Sequence, residues 1–249
     1  MRRKPVKVCL VIPVYNHEQA LPKLLNNLQC QGLDCFLVND GSSVNCTQVL
    51  RDYASQHSEW ITLIERPLNG GKGAAVVDGF KAAIEGGYSH AIQIDADGQH
   101  KVADLPIFLQ QSTLKPQAMI LGLPRYQDDA PKSRRYGRQF TNLWIWINTL
   151  SLAIGDGMCG FRLYPLASVE RLLKEVTLEN GMAFDIDIVV RLFWQRVEAV
   201  NVPTLVSYPI DGISHFDLLK DNLRISRTHA RLFIGMLLRL PKLLMRLSR

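Results

Sequence analysis

No run in the sequence approaches the roughly 20 apolar residues that a bilayer-spanning helix needs. Cysteine is scarce and unpaired. Cys9, Cys30, Cys35, Cys46 and Cys159 make no CxxC and no zinc-type spacing, which argues against a disulfide scaffold and fits a reducing compartment. Internal repeats and low-complexity segments are also missing. Acidic residues nearly vanish at the C-terminal end, where eight basic residues from Leu219 onward face only Asp221. That tail carries +7 against a net charge of +6, so residues 1–218 come to −1. A basic tail on a neutral body suggests an anionic surface as partner.

What is present describes a globular protein. The 249 residues are 47% hydrophobic and 21% charged, enough to pack one large α/β domain and to exclude general disorder. The opening MRRKPVKVCLVIPVYNH has the basic start of a signal peptide. Its apolar run is short and contains Pro13, so it reads as a first strand. The expectation is a cytoplasmic protein, soluble or held peripherally on the inner face of the membrane.

Short β-branched runs alternate with helical stretches along the first hundred residues. Val8–Pro13, Cys35–Val38, Trp60–Ile64 and His90–Ile94 read as strands, and Gln19–Gln29, Thr47–His57 and Gly73–Glu85 as helices. This order predicts a mostly parallel sheet covered on both faces, with the ligand outside the carboxyl ends of its strands. Each strand ends in a polar motif: Pro13–Asn16, Asp40–Ser43, Asn69–Lys72 and Asp95–Gln99. After Ala103 the alternation fades. Met119–Leu123 reads as a strand leading into Arg125, Asp128–Arg138 as a basic mobile loop, and Gln139–Gly155 as uncharged and helix-spaced.

Asp95-Ala96-Asp97 carries the chemistry. Two carboxylates at i and i+2 on a strand end can reach one hard cation, Mg²⁺ or Mn²⁺, shared with substrate phosphates; the plain alternative is a turn. Asn69-Gly70-Gly71-Lys72-Gly73 lacks the Walker pattern, yet a glycine turn opening a helix offers N–H groups, and Lys72 a charge, to an anion. Asp40 either caps a helix or accepts hydrogen bonds from a nucleoside, and Tyr15 either closes a turn or lies beside a base.

The set PVYN, NDGSS, NGGKGAA, DADGQH, CGFR and AFDID, spread over Val6 to Phe216, resembles the family 2 glycosyltransferases of the GT-A fold. Its nearest likeness is to the dolichyl- and polyprenyl-phosphate sugar synthases. The resemblance implies a GT-A domain over residues 1–216, a helical tail over 217–249, and a UDP- or GDP-linked sugar donor. It places Pro13, Tyr15, Asn16 and Asp40 on the nucleoside, and Asp95 and Asp97 on the metal and diphosphate. Gln99 joins the metal.

A single displacement with inversion is implied. Lys72 would assist the departing diphosphate, alongside Asp95, Ala96 and Asp97. An acceptor hydroxyl would need a carboxylate base: Asp185 first, with Asp187 and Asp156 as alternatives. A phosphate acceptor is already ionised and would need arginines, for which Arg125, Arg134, Arg135, Arg138 and Arg162 are the candidates. A saccharide acceptor remains open. A sugar nucleotidyltransferase is disfavoured because PVYNHEQ follows the first strand, where such enzymes carry a glycine-rich basic loop. A nucleic-acid-binding module would leave the paired aspartates unexplained, so no nucleic acid partner is expected. Taken as one helix, Arg231–Arg249 sets Phe233, Met236, Leu237, Leu240, Leu244 and Leu247 opposite Arg231, Arg239, Lys242, Arg246 and Arg249, the pattern of a helix lying on an anionic bilayer.

Overall fold

The computed structural model describes residues 6–126, 132–207 and 217–247. Its first half is regular: β1 (Val8–Val14), α1 (Leu21–Gln29), β2 (Asp34–Asn39), α2 (Val44–Gln56), β3 (Ile61–Glu65), α3 (Lys72–Glu85) and β4 (His90–Gln93). Leu21, Leu24, Leu25 and Leu28 bury one face of α1, and Pro22 occupies its first turn, where the missing N–H costs nothing. The Ser43 side chain caps α2 by accepting from the Cys46 N–H.

The second half runs α4 (Leu105–Leu114), β5 (Met119–Tyr126), α5 (Lys132–Thr149), β6 (Arg162–Pro165), α6 (Leu166–Glu175), α7 (Phe184–Trp194), β7 (Ala199–Val206), α8 (Leu218–Leu237) and α9 (Leu240–Leu247).

The seven strands form one sheet in the order β3-β2-β1-β4-β6-β5-β7. β6 runs against both its neighbours, and the other paired strands are parallel. The chain moves outward from β1 to β2 and β3, then returns to the other side of β1 as β4. That reversal opens a crevice between the ends of β1 and β4. Val14 pairs with Asn39 and Asn39 with Glu65, so three strand ends lie level. β4 stops where Gln93 pairs with Val11, and its aspartate turn fills the space beyond. Apolar cores cover both faces, one around Phe80, Tyr164 and Phe184, the other around Leu25, Phe108 and Phe161.

Two expectations change. The basic stretch expected as a loop over Asp128–Arg138 is helical from Lys132 onward; residues 127–131 lie outside the described ones. The tail is two helices, with α8 ending at Leu237 and α9 starting at Leu240, where Pro241 restarts the helix. Its stripe is partly consumed by packing. Met236 is buried and Phe233 meets Trp144 edge-on, while Leu232 and Leu243, outside that stripe, are buried as well. Arg231, expected on the solvent side, pairs with Asp187 and Glu179, and Arg239 lies over the Trp194 ring. The apolar and polar sides of α8 both find partners on the domain, so only part of the drawn stripe remains outward. Among the described residues no helix is long and apolar enough to cross a membrane.

Candidate active site

Hydrogen bonds stitch the four strand-end motifs into one wall. Asn16 holds the first loop to the second: its N–H donates to Ser42 Oγ (3.2 Å) and its Oδ1 accepts from the Ser43 N–H (2.8 Å). Pro13 is buried on β1, and Tyr15 is half-buried beyond its end. Asp40 holds the second loop to the glycine turn. Its carboxylate accepts from the Gly70 N–H (3.0 Å), the Gly71 N–H (2.8 Å) and Asn69 Nδ2 (3.2 Å), and pairs with Arg66. The glycine turn does bind an anion, and that anion is Asp40. Expected to face a nucleoside, Asp40 is buried with both oxygens taken. Gly71 makes the arrangement possible: its φ is +96°, and a Cβ there would lie 2.5 Å from the Asn180 carbonyl oxygen, a conformation glycine adopts freely.

Lys72 is the next stitch. Its Nζ lies 2.8 Å from Asp95 and 2.7 Å from Asp185. Burial would lower the Lys72 pKa, but the Asp185 and Asp95 carboxylates more than reverse this and hold it above the ordinary lysine range. Burial likewise pushes Asp95 up, while Lys72 and His100 hold it well below the usual carboxylate range. Lys72 and Asp95 are therefore both charged at neutral pH.

Behind them Gln93 Nε2 donates to Asp185 Oδ1 (2.8 Å). Arg162, fully buried, donates to the Asp185 carbonyl oxygen (2.7 Å) and to the Tyr164 hydroxyl (3.3 Å). Burial alone would lower the Arg162 pKa, but Tyr164 and Asp185 raise it; burial pushes Tyr164 up to about 12. The expectation that Arg162 faces an acceptor is thus corrected. It is an internal cation under Asp185.

Asp97 is half-buried on the turn, and its Oδ1 accepts from the Gln99 N–H (3.0 Å). Ala96 turns its methyl into the core. Arg125 is exposed at the end of β5, and the side chains of Arg134 and Arg135 lie outside the described residues. Arg138 pairs with Asp156 at 3.1 Å, and Asp156 also closes its own turn by accepting from the Met158 and Cys159 N–H groups. Asp187, the alternative base, is fully buried and faces α8 through Arg191 and Arg231.

The crevice has the chemistry of a hard-cation site. Asp95, Asp97 and the Gln99 amide are oxygen donors, as Mg²⁺ and Mn²⁺ prefer. Asp95 Oδ1, although 2.8 Å from Lys72, accepts no well-directed hydrogen bond. Among the described residues no group of three or more His, Cys, Asp or Glu side chains is arranged to hold a metal ion by itself. Two carboxylates and an amide fit an ion that shares its remaining positions with phosphate oxygens.

Residues 9–172 match the model of glycosyl transferase family 2. The chain belongs to that family. This family 2 glycosyltransferase is 32% identical over 192 residues to a dolichyl-phosphate beta-glucosyltransferase of Trichomonas vaginalis, covering 67% of this chain and 55% of that one. It therefore spans about half the length of that relative. It is 26% identical over 203 residues to an undecaprenyl-phosphate mannosyltransferase of Micrococcus luteus, covering 80% and 82%. Glucosyl-3-phosphoglycerate synthase of Mycobacterium tuberculosis, solved with Mn²⁺ and UDP-glucose, superposes with a TM-score of 0.62 at 14% identity, covering 92% of this chain and 78% of that one. The sheet and its flanking helices are those of a GT-A glycosyltransferase, as the strand-end motifs predicted.

Sequence reading of this glycosyltransferase missed Arg66, which joins Asp40 to Asp78, and Gln93, which supports Asp185. A signal for Gln93 existed, since it is the polar residue inside the apolar strand HAIQI. Gly160 also went unread. The Asp95 carboxylate lies where a Cβ at Gly160 would stand, and the backbone there has an ordinary φ. Only the folded chain brings these two together.

Proposed function

We propose that the chain transfers a sugar, with inversion, from a nucleotide diphosphate sugar to a polyprenyl phosphate at a membrane surface. The observation that carries this reading is Lys72 bridging Asp95 and Asp185 at the sheet's reversal point, beside Asp97. Asp95, Asp97 and Gln99 would hold Mg²⁺ or Mn²⁺. When bound, that ion neutralises charge on the departing diphosphate. Lys72 adds a fixed cation, and Asp95 and Asp185 keep it aimed and charged. Asn16 and Tyr15 border the space for the base.

An acceptor phosphate is already ionised, so Asp185 orients Lys72 and need not take a proton; Arg125 and Arg138 border the acceptor side. The names of the relatives favour a lipid phosphate. Exposed Leu219, Leu223, Ile234 and Leu237 lie along α8 with Lys220, Arg224 and Arg227, and exposed Leu238 caps it, which supports attachment to an anionic membrane surface.

The test is turnover of UDP- and GDP-linked sugars with Mn²⁺ or Mg²⁺, with and without polyprenyl phosphate. The expected result is sugar on the lipid, free nucleoside diphosphate, and loss of both with EDTA. Sugar transfer that ignores the lipid would move the acceptor to a saccharide. Release of pyrophosphate from a nucleoside triphosphate and a sugar phosphate would make the chain a nucleotidyltransferase.

A further inference from the structure

Asp185 stands at the start of α7, at the crevice. The other end of α7, about 14 Å away at 1.5 Å per residue, closes in an unusual way. The Arg196 N–H donates to the Phe193 carbonyl and the Val197 N–H to the Leu192 carbonyl, the paired bonds of a left-handed helix ending. The left-handed residue, φ +68°, is Arg196. Glycine is the usual occupant, and an arginine there carries a conformational penalty. Its side chain lines a cavity of about 220 Å³ together with Arg191, Arg239 and Lys242.

Four cations thus face one carboxylate, Glu175, which already accepts from Gln195 Nε2 (3.1 Å). Arg191 is committed to Asp187. Arg239 is held over the Trp194 ring, 4.7 Å from its centroid. Among the described residues Arg196 and Lys242 form no ion pair. Gln195 Oε1 is buried beside them with no donor.

We propose that this cavity is a phosphate-binding site separate from the sugar-transfer crevice, taking a phosphate ester that also carries a hydroxyl. Arg196 and Lys242 would neutralise the phosphate, and the hydroxyl would donate to Gln195 Oε1. Either a lipid headgroup or a soluble phosphate ester has this chemistry. Leu238, Leu244 and Met245 are exposed on the same turns as Arg239 and Lys242, which favours the headgroup.

The test compares the full chain with Arg196→Gly/Lys242→Ala, and with Lys23→Ala/Lys81→Ala, which removes the same charge from α1 and α3. Glycine suits the left-handed position, so the first variant should fold; Lys242→Gln alone serves if it does not. One arm follows the thermal midpoint against inorganic phosphate and glycerol phosphate at constant ionic strength. The other follows sedimentation with phosphatidylcholine vesicles, with and without phosphatidylglycerol. The cavity variant should lose more than half of the phosphate-induced shift, or bind phosphatidylglycerol vesicles about tenfold more weakly than the control. Loss in the first arm identifies a soluble ester, and loss in the second alone identifies the headgroup. Donor turnover should match the unaltered chain. If the cavity variant and its control behave alike in both arms, the proposal is overturned.

Discussion

Two residues apart on α7, Asp185 and Asp187 anchor two ion clusters with opposite characters. Around Asp187 every charge is matched. Arg191 donates to one carboxylate oxygen (2.6 Å), and Arg231 (2.9 Å) and the Glu179 N–H (3.1 Å) donate to the other. Around Asp185 the charges also balance, Lys72 and Arg162 against Asp95 and Asp185, but the polar atoms do not. Asp95 Oδ1, Gln93 Oε1, Arg162 Nε and His100 Nδ1 are all buried without a hydrogen-bond partner. Buried polar groups are nearly always paired, so a concentration of unpaired ones marks a place built for something other than packing. The closed cluster fastens α8 to the domain, and the open one leaves polar atoms unpaired at the crevice.

Breaking the open cluster should cost activity and spare the fold. Asp97→Ala is expected to lower turnover by roughly 10³-fold or more with an unchanged thermal midpoint, because a half-exposed strand-end carboxylate supports little packing. Near-normal, EDTA-sensitive turnover in that variant would remove Asp97 from the site.

Breaking the closed cluster should do the reverse. Asp187→Ala strands Arg191 and Arg231 and should cost about 3–5 kcal/mol, a fall of about 10 °C in the midpoint for a chain of this size. Donor affinity of the folded fraction, measured by calorimetry in the cold, should change little. A midpoint within 2 °C of the parent's would show that the cluster fastens nothing.

The seam beside the closed cluster should respond to pH. His229 is buried on α8 against Trp144 and Asn148 of α5, and burial lowers its pKa to about 4. The unfolded chain takes up this proton near 6.5, so the neutral His229 contributes its full stability above that pH. The contribution fades at about 1.4 kcal/mol per unit as the pH falls from 6.5 toward 4, roughly 3 kcal/mol in all. Urea midpoints across this range should drop, and His229→Gln should flatten that part of the profile.

The smallest effect concerns Asp185 itself. With a polyprenyl-phosphate acceptor, Asp185→Asn should cost less than about tenfold in kcat, since no proton has to be taken. A loss of about 10² or more would assign it as a base acting on a hydroxyl.

The open cluster was half legible in the sequence and the closed one was not. Asp95, Asp97 and Lys72 follow directly on strands or open a helix, and parallel topology alone sends such positions to one edge. Arg162 and Asp187 look in the sequence like their neighbours Arg138 and Asp185. Which way each one faces depends on packing between elements more than 20 residues apart. β6 was invisible because RLYP carries an arginine and a proline, yet all four residues are buried. The start of α5 was unreadable for a different reason. Tyr136, Gln139 and Phe140 are exposed, so no apolar period shows there, and the helix extends outward from the packed turn at Thr141 and Ile145.

The contact between Asp95 and Gly160 has a consequence for variation. In a library randomised at position 160 and selected for sugar transfer, glycine should be the sole survivor, because even a methyl group would displace the carboxylate. At Gly32 nothing lies nearby but φ is +63°, so selection should admit asparagine. At Gly137, with open space and an ordinary φ, almost any residue should pass. Three glycines that look alike in the sequence would yield three different survivor spectra, and the narrowest would mark the reacting centre.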